Sequence, residues 1–308
     1  MQGHNQRARM DQVAHLLVVG SGKGGVGKST VSVNLAVALA KRGAQVGLLD
    51  ADAYGPSVPM MLGVRKRGES QGWKATLPLG HQGKLSPERM LQPLRRYGVK
   101  VMSVGFFIGE EQAVAPIPDV LGALIRELLS IVNWGELDYL IIDLPPGNGE
   151  PQATLCRELH IDGAILVTTP QDIARIDTAK GLAMFQNAGV PVLGLVQNMS
   201  GFVCPHCGER VDIFPSSAES RSLLDGLPLL GAIPLDPATA LSGDRGQPVV
   251  VSVPESPVSA AFQCIAEQVV ASLANVSTPM PESQEEAEAT EGELFGDEER
   301  SRGEPPTF

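Results

Sequence analysis

The stretch SGKGGVGKST, residues 21–30, decides the fold because it joins an apolar run to a helical pattern. Residues 22–29 match the spacing G-x-x-x-x-G-K-[ST], in which glycines let backbone N–H groups close around phosphate oxygens. The apolar run LLVVG (16–20) predicts a buried strand before the loop, and residues 28–43 predict a helix after it. A strand, this loop and the positive end of a helix dipole together predict a phosphate-binding site.

The residue types in this loop assign roles within the predicted site. Lys28 is expected to reach the β- and γ-phosphates of a nucleotide, and Ser29 is expected to ligate Mg²⁺. The alternative is a glycine-rich turn that binds nothing, but the strand, loop and helix are all in register. The predicted binding residues of the loop are Gly22, Lys23, Gly24, Gly25, Val26, Gly27, Lys28 and Ser29.

Three aspartates follow apolar runs that predict strands. LLDAD places Asp50 and Asp52 at the end of one strand, and LIIDLPPG places Asp143 at the end of another. The carboxyl ends of parallel strands form the edge at which α/β sheets bind ligands. One aspartate alone would be taken as a helix cap or a turn residue. Three of them beside a phosphate loop predict nucleotide chemistry with Mg²⁺ held by Ser29, Asp50 and Asp143.

Short apolar runs alternate with helical patterns along most of the chain. Further strands are predicted at residues 44–50, 99–105, 138–143, 163–169, 192–198 and 228–233. Helical patterns fall near residues 119–132, 172–188 and 256–274. Strands that are apolar on both faces and alternate with helices predict the α/β class, with a mostly parallel sheet and helices on both faces.

Two segments interrupt this alternation. Residues 64–98 are rich in Gly, Pro and basic side chains and are interpreted as an insertion between strands. Residues 276–308 are rich in Glu and Pro and are predicted to be a disordered acidic tail. The predicted organisation is a polar N-terminal extension (1–14), one domain (15–275) and this tail.

The composition limits the classes of partner. The net charge is −11, of which −8 comes from ten acidic residues and two arginines between Glu282 and Glu304. This balance argues against nucleic acid and against an anionic membrane surface. No apolar run reaches the ~18 residues of a membrane span, and the polar start lacks an apolar signal-peptide core. A cytosolic protein is therefore expected, with thiols rather than disulfides.

A second cluster lies in NMSGFVCPHCGERVDIF, residues 198–214, which carries Cys204 and Cys207. A C-x-x-C turn directs two thiolates at one metal, but zinc or a four-iron cluster needs about four thiolates. Two chains related by a twofold axis would bring four sulfurs together. The alternatives are a redox pair or a structural zinc site. The isolated Cys156 and Cys264 are expected to pack in the core.

The order of several motifs resembles the Mrp/ApbC-type ATPases, which are iron–sulfur carriers related to ParA and MinD. The motifs are SGKGGVGKST, DADAYGPSVP, VMSVGF, WGELDYLIIDLPPG, TTPQDIARID, NMSGFVCPHCGERVDIF and LGAIPLDP. The resemblance covers roughly residues 15–270. It implies a P-loop NTPase fold and an ATP-hydrolysing homodimer that bridges a labile [4Fe–4S] cluster and delivers it to apo-proteins together with assembly factors.

The resemblance also implies roles for single residues. Lys23 looks like the signature lysine that contacts ATP across the dimer, as an arginine finger does. Asp52 looks like the acid that positions the attacking water, and Asp143 like the Walker B acid. Thr30 looks like a further phosphate contact, and Asn198 matches an adenine-contacting position. Lys23, Lys28, Asp52 and Asp143 are the predicted catalytic residues, and Cys204 and Cys207 are the predicted cluster ligands.

Two other functions remain open from the sequence alone. A MinD- or ParA-like spatial switch would associate with a membrane or with DNA, but a membrane-targeted relative needs a basic amphipathic C-terminal helix. That hypothesis also leaves Cys204 and Cys207 without a role. The other function keeps the ATPase and places a structural zinc ion at the dimer interface, because thiolates accept zinc as well as iron.

Overall fold

The computed structural model describes residues 7, 9–64, 90–107, 118–204, 206–214 and 217–276. The strands are β1 (Val13–Ser21), β2 (Val46–Asp50), β3 (Leu94–Arg96), β4 (Val99–Ser103), β5 (Leu137–Asp143), β6 (Gly163–Thr168), β7 (Val192–Gln197), β8 (Phe202–Val203), β9 (Arg210–Val211) and β10 (Leu229–Ala232). Within the described ranges, eight of them form one sheet in the order β10-β7-β6-β1-β5-β2-β4-β3. Strands β8 and β9 form a separate antiparallel hairpin.

Helices cover both faces of the sheet. They are α1 (Lys28–Lys41), α2 (Val58–Met61), α3 (Pro118–Ile131), α4 (Glu150–Glu158), α5 (Asp172–Asn187), α6 (Ala218–Ser222), α7 (Pro237–Asp244), α8 (Val249–Ser252) and α9 (Pro257–Val276). Leu35 of α1 and Phe262 of α9 belong to one apolar cluster. Ile125 of α3 and Phe185 of α5 belong to the other. The sheet is therefore the middle of three layers.

Strand β1 shows why the central strands are apolar throughout. Successive side chains of a strand point to opposite faces. Leu17 and Val19 pack in the cluster under α1 and α9, whereas Leu16 and Val18 pack in the cluster on the other face. Both faces of the strand are buried, so a polar residue at any of the four positions would lack a partner.

The parallel register sets the position of the candidate site. Strand β1 leads into the phosphate loop, and its neighbour β5 ends at Asp143. Asp50 at the end of β2 pairs with Asp143 on one side and with Ser103 of β4 on the other. The carboxyl ends of four strands therefore place these groups at one edge of the sheet.

The α/β class and the mostly parallel sheet with helices on both faces are confirmed. Predicted bounds differ from the observed ones by a few residues, since helix and strand ends have weak local signals. Strand β3 was not predicted. It pairs antiparallel with β4 at the edge of the sheet, where a short strand needs only one partner. Helices α2, α4, α6, α7 and α8 were also missed, because few residues of these short segments face the core.

Several predictions fall wholly or partly outside the described residues. Residues 65–89 of the predicted insertion and residues 277–308 of the predicted tail are not described. Strand β1 begins at Val13, two residues before the predicted start of the domain. The division of the chain into three parts stays a prediction. In the described part of the chain, no helix has the length and apolar character to cross a membrane.

Candidate functional site

The phosphate loop ends where α1 begins. Gly27 has φ 88°, a left-handed conformation that favours glycine, and Lys28 and Ser29 start the helix immediately after it. A Cβ at Gly27 would lie 2.1 Å from Asn198 Nδ2, so a side chain there would displace that amide group. The free N–H groups at the start of α1 thus face the same region as the loop glycines, as an anion requires.

A cavity of about 390 Å³ opens above the loop at the carboxyl edge of the sheet. It is lined by Ser21, Lys23, Gly24, Gly25, Gly27, Lys28, Ser29, Thr30, Asp52, Tyr54, Gly55, Ser57, Met61 and Pro146. Most of the predicted nucleotide-binding residues border it. Three of them do not line it: Gly22 packs against α5, the Val26 side chain is buried beneath the loop, and Asn198 contacts the Val26 carbonyl.

Lys28 lies at the centre of the charged groups. Its ammonium nitrogen is 2.9 Å from Asp143 Oδ2 and 3.7 Å from Asp52 Oδ2, and the lysine is only 6% exposed. A buried cation is stable only when it is paired, and here two carboxylates provide the pairing. The same ammonium group borders the cavity, so it is close to the position of an incoming phosphate.

Asp143 collects three donors on one fully buried carboxylate. Its Oδ2 accepts a hydrogen bond from Ser29 Oγ at 2.6 Å, and its Oδ1 accepts one from Ser32 Oγ at 2.6 Å. The Ser29 hydroxyl and the Asp143 carboxylate are oxygen ligands of the kind that Mg²⁺ prefers. The 2.6 Å contact places the two oxygens side by side near the cavity, so these residues fit a Mg²⁺ ion.

Asp50 is fully buried and lies behind Asp52. Its carboxylate accepts hydrogen bonds from Ser103 Oγ at 2.9 Å and from the Asp52 backbone N–H at 3.1 Å. Burial, and then repulsion from Asp143, raises the pKa of Asp50 to about 8 against the opposing attraction of Lys28. Among the described residues, the cavity lining includes Asp52 but not Asp50. Asp50 therefore supports the other acids from behind and does not border the cavity.

Asp52 is slightly exposed, whereas Asp50 is fully buried. Its Oδ1 accepts hydrogen bonds from the backbone N–H groups of Tyr54 and Gly55, both at 3.2 Å. Burial raises its pKa, and the nearby Lys28 partly opposes that shift. The carboxylate is therefore fixed in direction, borders the cavity and is more basic than an ordinary aspartate.

Lys23 lies at the rim of the cavity, against the start of α5. Its ammonium group donates to Gln171 Oε1 at 3.3 Å. Gly22 brings the loop this close to α5, because a Cβ there would lie 2.2 Å from the carbonyl carbon of Asp177. Lys23 thus borders the same cavity as Lys28 without contacting the buried carboxylates.

This close approach gives the first testable prediction. We expect Gly22→Ala to destabilise the fold by about 1–3 kcal/mol, because the backbone of Asp177 cannot move as a side chain can. Gly24→Ala is the matched control, since the nearest heavy atom to its Cβ is Pro146 Cβ at 3.9 Å. Thermal melting should show a lower midpoint for Gly22→Ala alone. Equal midpoints for the two variants would contradict the contact.

Asn198 lies at the end of β7, and its observed contact is with the loop. Its Nδ2 donates to the Val26 carbonyl at 2.9 Å, and the residue is 9% exposed. The resemblance implies an adenine contact at this position. The observed contact supports the phosphate loop, and the adenine contact stays a prediction.

The cysteine pair lies in the turn between β8 and β9, which we call the cysteine hairpin (residues 202–211). Cys204 N–H donates to the Glu209 carbonyl at 2.9 Å, and Gly208 N–H donates to the Cys204 carbonyl at 2.8 Å. The backbone N–H groups of Cys207 and His206 point at the Cys204 sulfur and, with the Cys207 side chain, lower the pKa of Cys204. Such N–H donors stabilise a thiolate, which is the form that binds metal.

The cysteine hairpin places both of its thiols within reach of solvent. Cys204 is half-buried and Cys207 is exposed. In the part of the chain that the structure describes, no group of three or more His, Cys, Asp or Glu side chains forms a metal site. Two thiols are fewer than the roughly four thiolates that a zinc ion or a four-iron cluster needs.

A family model for the NUBPL iron-transfer P-loop NTPases of the ParA group matches residues 12–270. The chain belongs to this family. It is 45% identical over 265 residues to an iron-sulfur cluster carrier protein of Synechocystis. The match covers 85% of this chain and 72% of that protein. The iron-sulfur cluster transfer protein NUBPL of Mus musculus is 43% identical over 276 residues, 88% of this chain and 82% of its own.

Solved structures show the same fold. A nucleotide-binding protein of Archaeoglobus fulgidus in complex with ADP is 36% identical, with a TM-score of 0.64 over 82% of this chain and 93% of that one. The cell division ATPase MinD of Pyrococcus furiosus is 27% identical, with a TM-score of 0.62 over 84% of this chain and 99% of that one. Membership of the NUBPL family thus agrees with the phosphate loop and the sheet order.

Sequence reasoning missed three side chains that hold this family member's site together. Ser32 donates to Asp143, Ser103 donates to Asp50, and Gln171 accepts from Lys23. Ser32 had a signal, because residues three apart on a helix share a face, which places it beside Ser29. Ser103 and Gln171 are brought to the site by sheet register and helix packing, and neither can be predicted from the local sequence.

The other two cysteines differ from each other. Cys156 is buried as predicted, and burial raises its pKa to about 12 although Arg7 and Arg157 oppose the shift. The expected burial of Cys264 is wrong, since that side chain is exposed. It lies about 200° around α9 from the buried Phe262, on the face turned away from the sheet.

This difference predicts a labelling pattern for the native protein. At pH 8 we expect iodoacetamide to modify Cys204, Cys207 and Cys264, and to leave Cys156 unmodified. The raised pKa lowers the thiolate fraction of Cys156 by about 10³, and burial excludes the reagent as well. Peptide mass spectrometry would measure the extent at each site. Rapid labelling of Cys156 in folded protein would contradict its position in the core.

Proposed function

We propose that the protein is an ATP-hydrolysing carrier of iron–sulfur clusters, which works as a homodimer and bridges a [4Fe–4S] cluster between its two chains. One observation carries the proposal: two surface thiols, poised for metal by backbone N–H donors, form an incomplete site in a chain that also holds a phosphate loop. The iron–sulfur names of the relatives at 45% and 43% identity support the choice of cargo.

The nucleotide half of the proposal follows from the loop geometry. The N–H groups of residues 24–29 would bind the phosphates of ATP, with Lys28 moving from Asp143 and Asp52 toward the β- and γ-phosphates. Ser29 and Asp143 would hold Mg²⁺, which supplies positive charge between those phosphates when bound. The ADP complex of the Archaeoglobus fulgidus relative supports nucleotide binding in this fold.

Hydrolysis requires an acceptor for the proton of the attacking water. Asp52 fits because its carboxylate borders the cavity, is held by two backbone N–H groups and has a raised pKa. Lys23 would place a second cation beside the γ-phosphate of the ATP that the partner chain binds, and would stabilise the charge that develops there. Breaking its hydrogen bond to Gln171 would release it for that role.

The homodimer is supported by apolar side chains that face solvent near both functional elements. Ile173 and Ile176 of α5 are 62% and 44% exposed, directly after Gln171. Val203 and Val211 of the cysteine hairpin are 46% and 49% exposed. Exposed apolar groups beside an incomplete site indicate an interface, and a second copy of this chain supplies the two missing thiolates.

This interface gives a prediction for the oligomeric state. Ile173→Glu with Ile176→Glu should hold the protein as a monomer in the presence of Mg²⁺ and ATP, because four carboxylates would meet across the twofold axis. Val270→Glu is the matched control, a 39% exposed apolar residue on α9 in the other layer. Sedimentation velocity would separate the two species. A dimer of the double variant as tight as that of the unchanged protein would contradict this interface.

Cluster delivery is tested most simply by transfer. The cluster-loaded protein would be mixed with an apo-enzyme that needs a [4Fe–4S] cluster for activity, with an excess of chelator present to trap free iron. We expect the enzyme to become active within minutes, whereas free iron and sulfide under the chelator should not activate it. Equal activation by both would remove the carrier role. We place this activity in the cytoplasm because exposed cluster thiolates need a reducing compartment.

A further inference from the structure

The segment of residues 198–200, the first three of the four residues that connect β7 to the cysteine hairpin, touches both functional elements. At its first residue, Asn198 Nδ2 donates to the carbonyl of Val26 in the phosphate loop at 2.9 Å. At its last residue, the Ser200 carbonyl accepts from Arg210 Nη2 of the cysteine hairpin at 3.1 Å. Three consecutive residues therefore join the loop that would bind phosphate to the turn that carries the thiols.

The middle residue of this segment is conformationally unusual. Met199 has φ 55°, in the left-handed region that a residue with a Cβ rarely adopts. Its neighbours hold it there, because Asn198 N–H donates to Thr168 and Ser200 N–H donates to Ile233, at 2.8 and 2.9 Å. A backbone held in a sparsely populated conformation by its surroundings stores strain, and such residues cluster at ligand clamps and switch regions.

Arg210 is the contact between the cysteine hairpin and this segment. Its guanidinium lies against Gly201, where a Cβ would be 3.0 Å from Nε, so glycine allows the close approach. Asp212 Oδ1 lies 3.6 Å from the same Nε and holds the group from the other side. The arginine thus fixes the orientation of β9 relative to Ser200, and β9 follows Cys207 by three residues.

We propose that residues 198–200 transmit the nucleotide state of the phosphate loop to the cysteine pair, with Arg210 as the positioning residue that completes the connection. This regulation rests on the proposed function, since it links the two activities assigned there. A shift of the Val26 carbonyl when phosphates enter the loop is passed to Asn198, then through the strained Met199 to Ser200 and Arg210. Coupling of this kind is reciprocal, so a metal on the cysteines changes nucleotide affinity by the same factor.

The test measures the thiols directly and needs no cluster. The alkylation rates of Cys204 and Cys207 would be measured in the full-length metal-free protein, with and without ADP and Mg²⁺. ADP lacks the γ-phosphate that Lys23 would contact in the partner, and sedimentation would verify an unchanged oligomeric state. We expect ADP to change the rates by at least about fivefold in the unchanged protein. In Arg210→Gln the ratio should fall to about one, with the ADP affinity unchanged.

Two variants separate positioning from a general disturbance. Glu209→Gln alters the neighbouring side chain but keeps the backbone bond from Cys204, so it should respond to ADP as the unchanged protein does. Arg210→Lys keeps the charge and one donor and should recover part of the response. The inference fails if ADP has no effect on the unchanged protein, if Arg210→Gln keeps the full response, or if Glu209→Gln loses it. The proposed carrier function is judged separately, by iron content and cluster transfer.

Discussion

Replacing Cys204 and Cys207 together by serine is expected to abolish cluster binding and to leave the ATP affinity of the metal-free protein within about twofold. A serine hydroxyl has nearly the shape of the thiol but does not ionise at neutral pH, so the soft anionic ligand that iron needs is lost. The phosphate loop contacts neither cysteine, so nucleotide binding has no direct reason to change. Iron and sulfide content and the visible absorbance of the reconstituted protein would measure the first effect, and calorimetry the second.

Cys264→Ser is the control for this variant. Cys264 is exposed, as Cys207 is, but it lies on α9. The control should bind iron and sulfide to the same level as the unchanged protein. Iron content that survives the double substitution, or that falls equally in the control, would show that the hairpin is not the cluster site.

Lys28→Ala is expected to remove ATP hydrolysis and also to destabilise the protein by about 3–5 kcal/mol at pH 7, since it leaves buried carboxylates without their cation. Asp143 and Asp50 are fully buried and Asp52 is nearly so. Without Lys28 the folded pKa values of Asp50 and Asp52 rise further above their unfolded values, and the stability contributed by a carboxyl group with a raised folded pKa falls as pH increases. The deficit should therefore shrink between pH 7 and pH 5 in urea titrations.

Lys23→Ala is the matched comparison, because the two lysines share a loop but not an environment. Lys23 contacts Gln171 instead of the buried acids, so its loss should cost less than about 1 kcal/mol at either pH. Hydrolysis should still fall by at least about a hundredfold, since the cation supplied in trans is gone. A stability deficit for Lys28→Ala that does not depend on pH would contradict the charge balance described here.

The phosphate loop was predictable because its geometry is local. The conformation of Gly27 and the start of α1 at Lys28 depend on residues within one turn, and G-x-x-x-x-G-K-[ST] specifies them. The order of strands β1, β5 and β2 depends on long connections. The sequence therefore predicted that Asp50 and Asp143 share an edge of the sheet, but not that they are paired in the register of β2 and β5. The contact of Lys23 with Gln171 joins residues 148 apart and has no local signal.

Cys264 shows a prediction that a closer use of periodicity would have corrected. Buried positions of α9 recur at Val258, Phe262, Ile265, Val269 and Leu273, with the spacing of one helical face. Cys264 lies outside that stripe, so its exposure follows from the pattern once the stripe is drawn. The apolar character of cysteine favoured a position in the core, but the position of Cys264 on the helix places its side chain at the surface.

Native mass spectrometry of the anaerobically reconstituted protein tests the bridging cluster most directly. The proposal predicts a species of two chains with one [4Fe–4S] cluster, about four irons per dimer. The Cys204→Ser/Cys207→Ser variant should appear as cluster-free monomers. A single zinc ion per dimer would assign the cysteines a structural role instead. Metal bound stably to one chain alone would contradict the shared site.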